Sequence, residues 1–120
     1  EVERMLLFEN ERGKIVVDDS VIAQIVANAA NECFGVVGMA AKNIGEEFLG
    51  FFKRDNKDRG VKITCPDNKV NIEMHIVVTY GINIPAISES IIHKVVYTVE
   101  QALDVSVGDI KVFVDAVINK

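Results

Sequence analysis

The sequence predicts an α+β fold of two layers, a mixed four- to five-stranded sheet with two main helices on one face. Its elements run strand, helix, strand, short helix, strand, strand, helix, strand. Three observations predict it. Along residues 69–80, Val70, Ile72, Met74, Ile76, Val78 and Tyr80 alternate with Asn71, Glu73, His75 and Thr79, the period of two of a strand covered on one side. Val77 alone interrupts the pattern. Beyond it, Ile84, Ile87, Ile91, Val95, Val99 and Leu103 recur at steps of three and four, which gives a helix one apolar stripe. Finally, each main helix falls between strands, and one-sided strands must pack against a second layer.

The other elements follow in order. Residues 1–12 are set aside as an N-terminal extension, poorly ordered or foreign to the native chain, and 13–120 are taken as a single domain. Lys14-Ile15-Val16-Val17 is a β-branched run that ends in Asp18, Asp19 and Ser20. Such side chains accept hydrogen bonds from free N–H groups and suit the helix dipole, so a helix starts there. It runs to about Cys33, with Ile22, Ile25, Val26 and Ala29 on one face and Gly35 as a left-handed cap. Residues 36–41 form a short strand, in which Gly38 marks a bulge or a close approach. Ile44, Phe48, Leu49, Phe51 and Phe52 then follow at roughly helical spacing, weakened by Gly45 and Gly50. They read either as a short helix over one end of the core or as a surface aromatic patch awaiting a partner. Residues 61–65 alternate again, and the turn Pro66-Asp67-Asn68 joins them to the long strand as an antiparallel hairpin. The corner Tyr80-Gly81-Ile82-Asn83-Ile84-Pro85 reads as a structural turn, with Pro85 tolerated in a first helical turn that has no N–H partner to lose. A last strand alternates Ile110, Val112 and Val114 with Lys111, Phe113 and Asp115. Its outer face is apolar at Phe113 and Val117.

Composition excludes several function classes. The chain has 120 residues, enough for one core, with 18 acidic against 13 basic side chains and a net charge of −5. That balance opposes binding to a phosphate backbone, and the basic cluster Lys53, Arg54, Lys57 and Arg59 is interleaved with Asp55 and Asp58. Nucleic acid is therefore not an expected partner. Cys33 and Cys65 form neither a disulfide framework nor a Cys-x-x-Cys site. No apolar run reaches the ~18 residues of a membrane span, and the start resembles no signal peptide, so a cytoplasmic protein without direct membrane insertion is expected.

No catalytic constellation can be assembled. His75 and His93 are too few for a metal site without a cysteine pair. Ser88 and Ser90 occupy a first helical turn, where serine is common for capping reasons, and lack a partner base. Gly35-Val36-Val37-Gly38 follows a helix rather than a strand and lacks a phosphate-loop pattern. No catalytic, cofactor or metal residue is expected. Phe48, Phe51, Phe52 and Phe113 remain as candidate partner-binding residues.

Several motifs do carry a family resemblance. Gly13-Lys14-Ile15-Val16-Val17, the stretch Ala29-Ala30-Asn31-Glu32-Cys33-Phe34-Gly35-Val36-Val37-Gly38-Met39-Ala40, and Val78-Thr79-Tyr80-Gly81-Ile82-Asn83-Ile84-Pro85 resemble the alkaline shock protein family of Gram-positive bacteria, also called envelope stress response proteins. The resemblance spans about 13–117. It implies a non-enzymatic cytoplasmic interaction module or adaptor linked to cell-envelope homeostasis, held at the inner membrane surface by a membrane-anchored protein or pairing with itself. The small form is similar to members encoded beside a dihydroxyacetone-kinase-like fatty acid kinase. This implies as an alternative a small-ligand or lipid-handling accessory of that kinase, which would need an apolar cavity between helices and sheet of roughly 300 Å³ or more.

Gly81 yields a direct test. Its place at the corner between strand and helix calls for a backbone conformation that a side chain would strain. Gly81→Val should lower stability by ~1 to 3 kcal/mol. An unchanged melting temperature would contradict this.

Overall fold

The computed structural model describes residues 5–39 and 60–119. The α+β class, the mixed sheet and the two main helices are as expected. The described strands form two sheets, one of two strands and one of four. In chain order the elements are β1 (Met5–Asn10), β2 (Gly13–Asp18), α1 (Asp19–Asn31), β3 (Val36–Met39), β4 (Val61–Thr64), β5 (Val70–Thr79), α2 (Ile84–Leu103) and β6 (Val107–Ile118). A single 3-10 turn, Pro66–Asn68, joins β4 to β5.

β5 is the central strand. It pairs in parallel with β6 along its whole length, Val70 beside Val107 through Thr79 beside Ile118. Its other edge is shared end to end by two short antiparallel strands. β4 takes Asn71 to Met74 and β3 takes Ile76 to Val78. The β3 register shifts between Val36 and Gly38, the irregularity that a glycine in a strand signals. α2 supplies the crossover that a parallel pair requires.

One face of this sheet holds the core. Val70, Ile72, Met74, Ile76 and Val78 of β5 are all buried, as are Val61 and Ile63 of β4. Over them lie Ile87, Ile91, Val95 and Val99 of α2 and Ile22, Ala23, Val26, Ala29 and Ala30 of α1. The alanines let α1 approach closely. Gly35 carries this further: its φ is +88°, and a Cβ there would collide with the Ile87 side chain. Asp18 caps α1 by accepting from the Ser20 N–H at 3.0 Å, and Asn83 caps α2 by accepting from the Ala86 N–H at 3.0 Å. At the other end of α2, Asp104 takes a left-handed conformation, φ 56°.

The N-terminal segment departs from the expectation. Residues 5–10, set aside as part of an extension, form β1, and β2 pairs with β1 instead of joining the main sheet. The physical reason is Leu6, whose side chain is fully buried in the core. The hairpin closes on Asn10, whose Oδ1 accepts from the N–H groups of Arg12 and Gly13. Asn68, at φ 62° in the β4–β5 turn, fastens the hairpin to the body. Its side-chain amide accepts from the Leu7 N–H at 3.0 Å and donates to the Leu7 C=O at 2.9 Å. Ala40 and the Phe48 region lie outside the described residues, so the expected short helix falls there too.

Leu6 and Asn68 therefore hold β1 by different means. Leu6→Ala should cost about 2–5 kcal/mol as a core truncation. Asn68→Ala should cost about 1 kcal/mol or slightly more, from two partly exposed hydrogen bonds. It should also speed amide exchange at Leu7 while leaving Met74 and Ile76 protected. Equal protection at Leu7 in wild type and Asn68→Ala would show that the amide pairing does not hold the strand.

Candidate functional site on the outer face of the sheet

Because β5 buries its even-numbered side chains, its odd-numbered ones share the opposite face. Asn71, Glu73, His75, Val77 and Thr79 are all half-buried there. The parallel register puts Lys111 beside Glu73 and Phe113 beside His75. One extra residue in β6 between the Ile76 and Val77 pairings then leaves Asp115 on this face and moves Val117 beside Val78. Val117, expected on the outer face with Phe113, is displaced from it by that bulge.

Four of these side chains form one cluster. His75 Nδ1 lies 3.0 Å from one Asp115 carboxylate oxygen and 3.2 Å from the other, and His75 Nε2 lies 3.2 Å from Glu73 Oε2. The Phe113 ring stacks on the imidazole, with centroids 4.6 Å apart and planes 11° apart. Partial burial works against the imidazolium, but hydrogen bonds to Asp115 and then Glu73, with their charges, outweigh it and raise the His75 pKa. Two acceptors on opposite ring nitrogens are both satisfied only when both nitrogens carry hydrogen. The charged ring then lies over an aromatic face, an arrangement of the cation–π type.

The carboxylates sit on opposite sides of the ring, so they cannot converge with it on one ion. Among the described residues no group of three or more His, Cys, Asp or Glu side chains is placed to hold a metal. Next to the cluster is an open depression of about 230 Å³, lined by Lys62, Thr64, Asn71, Glu73, Asp109 and Lys111. A second, of about 560 Å³, lies at the hairpin end between Phe8, Asn68, Glu100, Asp104 and Ser106. Both are rimmed by charged and amide groups.

The other sequence candidates are placed as follows. Phe48, Phe51 and Phe52 lie outside the described residues. Phe113 is 42% exposed despite its stacking. Tyr80 is exposed at the corner, its N–H donating to the Ile118 C=O, and Gly81 has φ +95° with open space where a Cβ would point. Any cost of a side chain at Gly81 is therefore one of backbone conformation alone. Pro85 lies in the first turn of α2 behind the Asn83 cap.

Sequence reasoning missed two features. Asp115 reaches His75 only through the β5–β6 register, 40 residues along the chain. Phe34, 87% exposed between α1 and β3, sits one residue before Gly35, whose carbonyl accepts from Thr79 N–H. That contact brings the turn of Phe34 to the corner of Tyr80. A phenylalanine just past the end of a helical apolar stripe was the available signal. Of the two free thiols Cys33 is half-buried and Cys65 buried, and the Cys65 pKa is pushed up to about 11, first by burial and then by Asp19.

Comparison with known proteins adds the following. The family model described as the ASP23 family, cell envelope-related function, matches residues 8–119. The chain is 34% identical over 106 residues to the uncharacterized protein YloU of Bacillus subtilis (strain 168), covering 88% of each chain. It is 33% identical over 103 residues to the uncharacterized protein Spy1614 of Streptococcus pyogenes serotype M6, covering 85% of each. With the uncharacterized protein YqhY of Bacillus subtilis (strain 168) it shares 28% identity over 102 residues, 85% of this chain and 75% of that one. No solved structure matches the chain significantly.

The His75 cluster gives a pH dependence of defined sign. An imidazole whose folded-state pKa is raised stabilises the fold fully below its unfolded value of about 6.5. That contribution is lost as pH rises through the raised value. The melting temperature of the wild-type chain should therefore fall as pH rises above about 6.5, the unperturbed histidine value. His75→Asn should flatten that part of the profile, and a wild-type profile no steeper than the variant's would contradict the assignment.

Proposed function

The chain belongs to the ASP23 family, whose function is cell envelope-related, and we propose that within it this protein is a non-enzymatic interaction module. It works in the cytoplasm and reaches the inner membrane surface through a membrane-anchored protein. The observation that supports this reading is Phe113. An aromatic ring stacked on His75 on a half-exposed sheet face, with Lys111 and Asp115 on either side, has the composition of a docking surface: an aromatic anchor within a charged rim. The same groups are poorly arranged for catalysis. His75 is engaged by two carboxylates, and no nucleophile among the described residues is bonded to it.

The protein partner is favoured over direct lipid contact by charge. With 18 acidic and 13 basic side chains, the chain gains little from an anionic bilayer, where each basic residue near the surface contributes only ~1 kcal/mol. No helix among the described residues is long and apolar enough to cross a membrane. The alternative of a lipid-handling kinase accessory calls for an apolar cavity between helices and sheet. The two depressions described above lie elsewhere and have polar rims, so nothing specific favours it.

Co-sedimentation separates the readings. The purified chain should sediment with membranes from its native cell and not with protein-free vesicles rich in anionic lipid. Protease treatment of the membranes should abolish binding, and Phe113→Ala should weaken it severalfold. Salt-reversible binding to the protein-free vesicles would move direct lipid binding to the front, and no binding to native membranes would overturn the adaptor reading.

A further inference from the structure

β6 has one edge on β5, and no described strand pairs with the other. The hydrogen bonds of β5 determine which peptide groups of β6 face outward. His75 and Thr79 donate their N–H groups to Gly60 and Gly35, on the β4 and β3 side. Val70 and Tyr80 donate theirs to Ser106 and Ile118, on the β6 side. The even-numbered peptide groups of β5 thus point at β6. With Met74 beside Val112 and Ile76 beside Val114, they engage the peptide groups of Lys111 and Phe113. Those of Val112 and Val114 are left directed away from the sheet. Among the described residues no strand takes up these groups, and such a row on a long strand is a template for another strand.

The side chains specify which strand fits. Lys111-Val112-Phe113-Val114-Asp115 is self-complementary when read against itself antiparallel about Phe113. Lys111 then opposes Asp115 of a second copy, Val112 opposes Val114, and Phe113 opposes its own equivalent. The outward peptide groups of Val112 and Val114 fall at hydrogen-bonded positions. Phe113 falls at a non-hydrogen-bonded position, where side chains approach most closely. Opposite charges and aromatic rings facing each other directly are favourable pairs in a sheet. The bulge after Val114 confines regular pairing to these five residues, and antiparallel symmetry applies the same limit at both ends. Lys111, Phe113 and Asp115 are all exposed, so the matching groups are accessible.

We propose that two copies of this chain join edge to edge through β6, antiparallel about Phe113, with Lys111 of each copy paired to Asp115 of the other. The pairing is isologous, as a two-fold dimer requires. It extends the sheet across both copies and sets the His75–Phe113 stacks of the two in one row. The inference rests on the interaction-module reading and names one partner of that surface, a second copy.

Charge exchange tests it without relying on a single disrupted variant. The wild-type chain should sediment as a dimer at micromolar concentration. Lys111→Asp sets aspartate against Asp115 of the other copy, and Asp115→Lys sets lysine against Lys111. Each variant alone should dimerise about tenfold more weakly or worse, since both cross-strand pairs become like-charged. Mixed one to one, the two variants regain both opposite-charge pairs and should form a heterodimer of near wild-type strength. Circular dichroism of each variant verifies the fold, and recovery in the mixture cannot come from misfolded components. A monomeric wild-type chain, variants that dimerise as tightly as wild type, or a mixture that stays monomeric would each overturn the proposal. A monomeric chain that still sediments with native membranes would leave the adaptor reading standing while self-pairing falls.

Discussion

Burial of one face of β5 is the constraint on which the other elements depend. Val70, Ile72, Met74, Ile76 and Val78 together remove five large apolar side chains from water, about 1.5–3 kcal/mol each relative to exposure. To keep them dry, α1 and α2 must lie side by side on the same face, and the small residues of α1 and Gly35 allow the close approach. The edges follow from this too. β5 is long enough to pair with β6 over its length on one side and with two short strands in tandem on the other.

One-sided burial also creates the candidate surface on the outer face of the sheet. Every second residue of β5 is turned to the outer face, where a parallel neighbour supplies side chains in register. That is how a histidine comes to lie between two carboxylates and against a phenylalanine. The cluster is built from groups far apart in sequence, and it stacks Phe113 on the His75 ring with a carboxylate on either side of the imidazole.

The N-terminal hairpin shows a second way of attaching an element. It shares no ladder with the main sheet. It is anchored by the buried Leu6 and by an asparagine amide that matches the N–H and the C=O of a single residue, Leu7. Asn68 does so from a left-handed turn conformation, which asparagine tolerates better than most residues. The turn between β4 and β5 therefore also serves as the clasp for β1.

Much of this was legible in the sequence because the signals were local. The alternation along β5, the four-residue steps of α2, the caps at Asp18 and Asn83 and the corner at Gly81 each depend on residues a few positions apart. The motifs of those same stretches pointed to the family. Three matters were decided only by tertiary structure. Residues 5–10 join the fold because Leu6 finds the core, which a short polar-flanked segment does not reveal by itself. Asp115 meets His75 because β5 and β6 run parallel in one register with a bulge, and periodicity within a strand is blind to the register between strands. The place of β6 outermost among the described strands has the same cause: alternation is a local signal, but only strand order determines which strand lies outermost.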